Sequence, residues 1–434
     1  MAELRYLSSR GGAPPLTLSE AIRQGLAPDG GLYVPTRLPE VDVAAVARAT
    51  RLPDVAQSAL RGFFQGDRLE PNLADIARTA FDFPAPTTAV EKCQDPLFVL
   101  ELFHGPTAAF KDFGARFLAA ALSRLRGEQS RPLQILVATS GDTGGAVAAA
   151  FHGRHGIEVT VLYPKGLVSP TQEQQLTCWG GNVRALAVLG RFDDCQRLVK
   201  EAFADAALRE RFELSSANSI NLGRLLPQTV YYWAASLRVA RAHHEAASFV
   251  IPSGNLGNAT ACIWARRLGA PIASIVLAHN ANRTVPDYLR DGGLRPRPSV
   301  ATISSAMDVG NPSNLERLSA LYPDVAQMRG ALSAQSISDE ATRTRIRLDF
   351  ERYGRIWCPH SAVAAEAYMR LAPAVRTRGR WVVVATAHPA KFREIIEPLI
   401  GEALTLPPNL ARLYDRPAKP TPIEPDIEAL KRAL

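Results

Sequence analysis

Beyond about residue 90, short apolar runs alternate with stretches that have a helical spacing of apolar residues. Runs rich in Val, Ile and Leu are typical of buried strands. Their alternation with helices favours an α/β fold built around mainly parallel sheets. The predicted strands are residues 97–102, 135–139, 159–163, 249–252, 272–277 and 381–385, and the predicted helices are residues 115–125, 146–151 and 259–268.

Residues 1–90 have a different pattern. Amphipathic spacing predicts short helices at residues 19–26, 43–51 and 73–81, and Thr17 or Ser19 can cap the first of them. The turn residues at positions 29–31 precede a short predicted strand at residues 32–35. We therefore predict a small, mainly helical N-terminal domain over residues 1–90, followed by a larger α/β region over residues 91–434.

Length and composition describe an ordinary globular protein. A chain of 434 residues is too long for one compact core, so two or three domains are expected. No uninterrupted apolar stretch approaches the length of a membrane span, and the first five residues contain no apolar signal core. The five cysteines form no CxxC pair, which favours reduced thiols in a cytoplasmic protein.

The net charge of +8 raises the question of nucleic-acid binding. The basic clusters at residues 343–347 and 376–380 are short, and no aromatic side chains interleave with them. Solvated helix and loop faces are the favoured interpretation, so we predict no nucleic-acid partner. An anionic ligand would account for part of the positive charge.

The first candidate for chemistry is Lys111, which lies between a predicted strand and a predicted helix, in the run 103–114. We expect Lys111 at the first turn of that helix, where partial positive charge disfavours the ammonium form and lowers the amine pKa. A neutral amine is what Schiff-base chemistry requires. Alone the signal is weak, because most lysines are solvated surface charges.

Two further loops have the form of ligand cradles. Each follows a predicted strand, contains small residues that let a ligand approach the backbone, and opens a helix whose free N–H groups attract an anion. The second lacks the spacing of a dinucleotide loop, so a single phosphate fits it better. The first loop consists of Thr139, Ser140, Gly141, Asp142 and Thr143, and the second consists of Ser253, Gly254, Asn255, Leu256, Gly257 and Asn258.

A hydroxyl at a strand end completes this set of candidate groups. Thr386 follows the predicted strand 381–385, and ligands of open α/β sheets bind beyond the carboxyl ends of strands. A lysine, a phosphate cradle, a carboxylate-sized loop and this hydroxyl together suit pyridoxal 5′-phosphate. In that arrangement Lys111 would hold the cofactor covalently, the loop 253–258 its phosphate, and Thr386 its ring nitrogen.

At this point the chain resembles a known family. The lysine run, both loops and the segment 386–392 are similar to the motifs of threonine synthases, which are fold type II pyridoxal-phosphate enzymes. The opening 6–11, the stretch 25–35 and the segments 218–221 and 306–312 extend the resemblance over nearly the whole chain. Leu256 is one departure, since the family pattern has an aromatic residue there.

The resemblance implies the tryptophan synthase β-like fold. It has two α/β domains with mainly parallel sheets, to which the longer branch of the family adds an N-terminal domain. For this chain it places the smaller α/β subdomain at about residues 131–244. The larger subdomain would then comprise about residues 91–130 and 245–434.

The resemblance also implies a reaction, in which O-phospho-L-homoserine and water give L-threonine and phosphate by γ-elimination and β-hydration. Lys111 would act as the catalytic base. Two alternatives remain open: a related phospho-lyase acting on O-phosphothreonine, and a non-catalytic protein that binds pyridoxal phosphate. Serine or threonine dehydratases and cysteine synthase are disfavoured because the lysine run and the N-terminal domain do not resemble theirs.

The substrate phosphate needs cationic partners, and three residues are candidates: Arg224, Arg116 and Lys391. Arg224 is preferred because a guanidinium can bind a phosphate through two hydrogen bonds. Residues 221, 224, 225, 228 and 232 have i, i+3, i+4 spacing, which predicts one helical face that carries Arg224. Each candidate can instead be a structural ion-pair partner.

The remaining expectations concern metals and partners. The eight histidines show no ligand spacing, so no metal site is predicted. His104, His360 and His388 lie in turns near the motifs and can orient groups or cap turns. The expected partner is a small-molecule substrate, with neither nucleic acid nor membrane involved, and the protein is expected to be a monomer or a homodimer.

Overall fold

The computed structural model describes residues 4–127 and 131–434. Residues 1–3, on which the expectation about a signal sequence partly rests, lie outside this part, as does the predicted subdomain boundary near residue 130. Within the described residues, no helix is both long enough and apolar enough to cross a membrane.

The N-terminal region has the predicted mainly helical character. Thr17 caps the first helix through a capping box with Glu20, which satisfies two backbone N–H groups at that end. Two three-residue strands pair antiparallel, with Leu7 opposite Val34. The elements are β1 (Tyr6–Ser8), α1 (Leu18–Gln24), β2 (Tyr33–Pro35), α2 (Val43–Arg48), α3 (Leu52–Phe64), a 3₁₀ turn (Glu70–Asn72) and α4 (Leu73–Ala80).

The middle of the chain alternates strands and helices as predicted, and most of its strands are largely apolar and buried, as expected where both faces of a parallel sheet are covered. Its elements are β3 (Thr87–Ala89), β4 (Leu97–Glu101), α5 (Lys111–Leu125), β5 (Leu133–Ala138), α6 (Asp142–Phe151), β6 (Ile157–Pro164), α7 (Pro170–Thr177), β7 (Val183–Val188), α8 (Phe192–Ala204), α9 (Ala206–Arg211), β8 (Glu213–Ser216), α10 (Leu222–Leu225) and α11 (Gln228–His243).

The remainder continues the alternation and ends in short helices. Its elements are β9 (Ala247–Pro252), α12 (Gly257–Arg267), β10 (Ile272–His279), α13 (Thr284–Asp291), a 3₁₀ turn (Ser305–Met307), α14 (Leu315–Leu321), α15 (Val325–Ala331), β11 (Ser333–Ser336), α16 (Asp339–Tyr353), α17 (Pro359–Met369), α18 (Pro373–Arg378), β12 (Arg380–Ala385), a 3₁₀ turn (Pro389–Phe392), α19 (Arg393–Ile400), α20 (Pro408–Tyr414), β13 (Pro420–Ile423) and α21 (Ile427–Ala433).

Two larger sheets organise these elements. The six-stranded sheet has the order β11-β10-β9-β12-β4-β3, and the five-stranded sheet has the order β13-β7-β6-β5-β8. All of their strand pairs are parallel except β3 with β4. The expectation of mainly parallel sheets is confirmed. Because β4, β5, β9 and β12 are parallel members of these sheets, the loops that follow them can converge beyond their carboxyl ends.

The N-terminal region shares a hydrophobic core with the rest of the protein. One continuous cluster contains Tyr6 and Phe64 from that region, Phe117 of α5 and Trp264 of α12. The rings of Phe64 and Phe117 meet edge to face, with their centroids 6.1 Å apart. This shared core fixes the N-terminal elements against the two helices that begin at the candidate site.

The carboxyl-terminal segment differs from the predicted subdomain division. Strand β13 pairs with β7, with Ile423 opposite Val188, so it belongs to the five-stranded sheet and not to the 245–434 half. The side chain of Leu430 on α21 is fully buried beside that sheet. We propose a division into an N-terminal domain over about residues 1–90 and two α/β subdomains, the smaller formed by about residues 131–244 together with residues 418–434.

Candidate active site

The lysine turn connects β4 to α5, and Lys111 is the first residue of that helix. The carboxylate of Asp112 holds the turn by accepting hydrogen bonds from the backbone N–H (2.9 Å) and the hydroxyl (2.6 Å) of Thr107. Ala108 adopts a left-handed backbone conformation with φ +52°. The N–H of Phe110 donates to the carbonyl of Thr386 (2.8 Å), so the turn is attached to the end of β12.

The amine of Lys111 is easily deprotonated. Burial lowers its pKa to about 8, the Asp142 carboxylate opposes that shift, and the cations of Lys391 and Arg224 reinforce it. The pKa of Lys111 is lowered, as the sequence predicts. The main cause is burial, whereas the prediction rested on the partial charge of the helix N-terminus. An amine with this pKa exists in part as the free base near neutral pH.

Asp142 and Lys391 form a buried ion pair beside the lysine. Lys391 Nζ lies 2.8 Å from Asp142 Oδ1 and also donates to the carbonyl of Thr107 at 2.8 Å. Burial alone raises the pKa of Asp142, but Lys391 and Lys111 lower it well below its usual range, so the carboxylate is ionised. Lys391 is therefore engaged by the protein itself and does not line the cavity in which Lys111 lies.

The loop between β5 and α6 is shaped by its own hydroxyl and glycine groups. Thr139 Oγ1 accepts hydrogen bonds from the N–H groups of Gly141 (3.0 Å) and Gly144 (2.9 Å). Gly141 has φ +135°, and a Cβ there would collide with the side chain of Gln172. Of the five predicted loop residues, Asp142 and Thr143 line the cavity. Thr139 and Gly141 shape the turn, and neither they nor Ser140 line the cavity.

All six residues of the second loop, between β9 and α12, line the cavity. The N–H groups of Gly254, Asn255 and Leu256 meet no acceptor within the described residues. Leu256 has a left-handed conformation (φ +61°, ψ +3°) that turns the chain into α12. Asn258 Oδ1 accepts hydrogen bonds from two tyrosine hydroxyls, whereas its buried Nδ2 has no partner. The loop thus offers several unpaired donors at a helix N-terminus, which suits an anion.

Thr386 and His360 also line the cavity. Thr386 is 6% exposed, and its backbone N–H donates to Ser361 Oγ (3.1 Å). His360 Nε2 accepts a hydrogen bond from the Ala306 N–H (3.1 Å), which assigns the ring proton to Nδ1. Burial lowers the pKa of His360 to about 4, so the ring is neutral at physiological pH, and its Nδ1 has no partner among the described residues.

Arg224 reaches the cavity from α10 and is 2% exposed. Its Nη1 donates to the carbonyl of Ala217 (2.5 Å), and its buried Nε has no partner. No described carboxylate forms an ion pair with it. Burial lowers the pKa of Arg224 to about 10, which still leaves the guanidinium charged near neutral pH. This is a cation available to an anionic ligand.

The single helical face predicted around Arg224 is divided in the structure. Helix α10 ends at Leu225 and α11 begins at Gln228, because Pro227 cannot donate a backbone hydrogen bond in a continuous helix. Asn221 is not helical but caps α10, accepting a hydrogen bond from the Gly223 N–H (2.8 Å). Arg224 and Gln228 nevertheless both line the cavity, whereas Tyr232 does not.

Arg116 is not brought to the cavity. It lies one turn beyond Lys111 on α5, but its guanidinium donates to the carbonyl of Thr79 and pairs with Asp82 at 2.5 Å. These partners lie at the end of the N-terminal region. Arg116 therefore has the structural ion-pair role that was the alternative for each predicted cation.

The cavity has a volume of about 120 Å³. It brings together Lys111, the loop 253–258, Thr386 and Arg224, as the sequence predicted. The sequence assigns no binding role to several other lining residues, although the segments 218–221 and 306–312 resemble the family, Gln228 falls on the predicted face that carries Arg224, and His360 lies in a turn near the motifs. These residues are Phe110, Ser219, Gln228, Pro252, Ala259, Ala306, Met307 and His360. In the part of the chain that the structure describes, no cluster of His, Cys, Asp and Glu is arranged to hold a metal ion.

Three family models match the chain in succession. The model described as threonine synthase N terminus matches residues 5–81, and that of pyridoxal-phosphate dependent enzymes matches residues 77–387. The model described as threonine synthase, C-terminal, matches residues 361–434. Together they cover almost all of the chain.

Whole-chain comparisons agree with the family models. The threonine synthases of Haemophilus influenzae and Escherichia coli are each 40% identical to this chain, over 96% of both chains. The crystal structure of the E. coli threonine synthase superposes with a TM-score of 0.90 at 37% identity, covering 99% of both chains. A pyridoxal-phosphate-bound threonine synthase from Brucella melitensis gives a TM-score of 0.90 at 33% identity, covering 99% of this chain and 98% of its own. The expected fold type II architecture is confirmed, and the chain belongs to the threonine synthase family of pyridoxal-phosphate dependent enzymes.

Proposed function

We propose that this protein is a threonine synthase, which converts O-phospho-L-homoserine and water into L-threonine and phosphate. One observation carries the proposal beyond family membership. A single cavity holds Lys111, an amine of lowered pKa, together with Arg224, a buried guanidinium that pairs with no carboxylate among the described residues. A proton-transfer group and an anion-binding group thus face the same small space, as phosphate elimination requires.

The cavity residues fit pyridoxal phosphate. The unpaired N–H groups of the loop 253–258 and the unpartnered Asn258 Nδ2 would hold its phosphate. Gly254 keeps that cradle open against the Met307 backbone, since a Cβ would lie 2.8 Å from Met307 Cα. Lys111 would hold the cofactor covalently, and the Thr386 hydroxyl would contact its ring nitrogen. When bound there, the cofactor supplies an electron sink for negative charge at the substrate α carbon.

The protein's own groups would move the protons. Once released by the incoming substrate amine, the Lys111 amine would remove the α proton and then transfer protons at the β carbon. Phosphate leaves from the γ carbon, and water adds at the β carbon. With a pKa of about 8, Lys111 can accept and return a proton near neutral pH at small cost.

The same walls would orient the two anionic ends of the substrate. We propose that Arg224, supported by the nearby Ser219 hydroxyl, binds the phosphate. The loop 139–143, through Thr143 and the N-terminus of α6, would bind the carboxylate. Asp142 lines the same cavity, but its charge is neutralised by Lys391. The phosphate and carboxylate of the substrate would therefore not be repelled by an unpaired Asp142.

The finer expectations about setting belong to the same proposal. We propose a cytoplasmic enzyme that acts as a monomer or homodimer and needs no protein or nucleic-acid partner. One copy of the protein supplies Lys111, Arg224 and the loop 253–258, which supports the proposal that no partner protein is needed.

The test is phosphate release from O-phospho-L-homoserine and from O-phosphothreonine, with each carbon product identified. Phosphate and L-threonine in equal amounts from phosphohomoserine are the expected result. Turnover of phosphothreonine alone would overturn the proposal in favour of a degradative phospho-lyase. Cofactor binding without turnover of either compound would indicate a non-catalytic protein. Lys111→Ala is the control, because it leaves Arg224 in place but removes the amine.

A further inference from the structure

Arg317 on α14 is a buried cation outside the catalytic cavity. Its side chain is 1% exposed, and no described carboxylate pairs with it. Burial lowers the pKa of Arg317 to about 9, which still leaves the guanidinium charged near neutral pH. Burying a charge without a counter-ion is costly, so its neutral hydrogen-bond partners must compensate.

All of the partners of Arg317 are neutral oxygens, and most belong to the backbone. Nη2 donates to the carbonyl of Ile220 (2.7 Å), and Nη1 approaches the carbonyl of Ser219 (3.5 Å). Nε donates to the carbonyl of Tyr33 (3.1 Å), in strand β2 of the N-terminal region. Nη1 also donates to Asn314 Oδ1 (2.6 Å). One guanidinium therefore joins the N-terminal region to the backbone that leads into α10.

Asn314 and Asn255 extend this connection to the cavity wall. Asn314 Nδ2 donates to the carbonyls of Ser219 (3.3 Å) and Asn255 (3.0 Å). Asn255 Nδ2 donates to the hydroxyl oxygen of Ser219 (2.7 Å). Ser219 is thus fixed through both its carbonyl and its hydroxyl, and Arg224 follows five residues later in α10. We call Arg317, Asn314 and Asn255 the bracket.

We propose that Arg317 is a positioning residue, which acts through the bracket to hold Ser219 and Arg224 in the geometry that binds the substrate phosphate. The inference rests on the proposed function, since it assigns these residues to the phosphate end of phosphohomoserine. Arg317 itself touches neither the cavity nor the reacting atoms.

The bracket also makes the phosphate subsite depend on the N-terminal region. Besides the Tyr33 carbonyl, Asn221 Nδ2 donates to the carbonyl of Ile22 in α1 (2.9 Å). On the neighbouring residue of α14, Glu316 pairs with Arg10 (2.7 Å). The N-terminal domain therefore supports the segment 219–221 directly, although none of its residues from 4 onwards lines the cavity.

The first test is Arg317→Lys, which keeps the charge but cannot span four acceptors. We expect KM for phosphohomoserine to rise by roughly tenfold with kcat changed less than about threefold, because a charge-assisted hydrogen bond corresponds to a factor of this order. Arg345→Lys is the matched control. Arg345 is also largely buried, at 8% exposure, pairs with Asp349 and Glu366 away from the cavity lining, and should leave KM unchanged.

Hydrogen exchange tests the same inference without turnover. In Arg317→Lys, amides of residues 217–226 should exchange faster, whereas in Arg345→Lys they should keep the wild-type rate. Faster exchange of residues 217–226 in Arg317→Lys would support the positioning role. If the wild type did not turn over phosphohomoserine, the proposed function would be wrong even though the positioning role remained supported. Wild-type exchange in this segment would overturn the inference.

A double-mutant cycle decides whether Arg317 acts through the phosphate subsite. The increases in KM caused by Arg317→Lys and Arg224→Lys should combine to less than their product, because the second substitution removes a contact already misplaced by the first. Multiplicative effects would show that Arg317 acts elsewhere and would overturn the proposal. Both variants keep a positive charge at the altered position. We therefore expect both to fold, whereas a neutral replacement of Arg317 would leave its buried carbonyl partners without a donor.

Discussion

At the scale of single residues, the two cationic side chains of the cavity, Lys111 and Arg224, differ in how readily they lose a proton. Burial brings the pKa of Lys111 to about 8 and that of Arg224 to about 10. Near neutral pH, the lysine can therefore exchange protons, whereas the guanidinium stays charged. This difference suits one group for acid and base catalysis and the other for holding an anion.

The lysine pKa predicts the pH dependence of its reactivity. In cofactor-free protein, reductive methylation of Lys111 by formaldehyde should rise with pH and reach its midpoint near pH 8, because only the neutral amine attacks the aldehyde. Peptide mass spectrometry gives the extent of labelling at each pH. The exposed Lys200 on α8 is the internal control for the reagent. A Lys111 profile parallel to that of Lys200 would contradict the assignment.

Arg224 and Arg116 were both predicted as partners of the substrate phosphate, but only Arg224 lines the cavity. Arg224→Ala should lower kcat/KM for phosphohomoserine by roughly 30-fold or more, since lost hydrogen bonds to a charged group cost about 2 kcal/mol or more. Arg116→Ala should leave KM unchanged, because Arg116 pairs with Asp82 outside the cavity. Steady-state kinetics on both variants measure the contrast. An increase in KM for Arg116→Ala alone would reverse the assignment.

At the scale of elements, the cradle depends on how closely β9 and α12 approach the segment 305–307. Gly254→Ala should weaken cofactor binding by about tenfold or more, because its Cβ would lie 2.8 Å from Met307 Cα and would displace the loop. Absorbance titration with pyridoxal phosphate measures the change. Gly330→Ala on α15 is the control, since a Cβ there meets no atom within 4 Å. Equal affinity in both variants would refute this account.

The strand–loop–helix units around the site were predictable from the sequence. Their strands are largely apolar runs, so local pattern places Ser253 and Thr386 at strand ends and Lys111 at the start of the helix that follows a strand. The division between α10 and α11 was missed, because helical spacing continues across Pro227 while the proline breaks the backbone hydrogen bonding. Periodicity alone does not register such an interruption.

The rest of the site depends on contacts between distant parts of the chain. His360 reaches the cavity because its Nε2 accepts from Ala306, and Ser219 is fixed by Asn314 and Asn255. Lys391 was predicted as a candidate for the substrate phosphate or as a structural ion-pair partner, and its ion pair with Asp142 joins segments that are far apart in the sequence. No local pattern carries this information, so the partners of these groups could not be read from sequence.

At the scale of the whole molecule, the five-stranded sheet combines strands from two separate parts of the sequence, since β13 pairs with β7. Leu430→Ala should destabilise the protein by roughly 2–5 kcal/mol, because the side chain is fully buried against the cluster containing Leu186 and Leu198. Glu428→Ala, exposed on the same helix, should change stability by less than about 0.5 kcal/mol. Denaturant unfolding measures both changes.

Hydrogen exchange in Leu430→Ala shows which of the two sheets loses stability. Amides of β7 should exchange faster in Leu430→Ala, while those of β11 in the other sheet should be unaffected. Faster exchange confined to β11 would place α21 with the larger subdomain and contradict the proposed division.

The pairing of β13 with β7 has a consequence for how the protein is made. Strand β7 emerges from the ribosome long before residues 420–423 have been translated, so one edge of the five-stranded sheet stays without a partner for much of synthesis. An open strand edge can pair with other nascent chains. Association with chaperones should therefore be strongest for nascent chains that have passed β7 but have not reached Pro420, and should fall once β13 is complete.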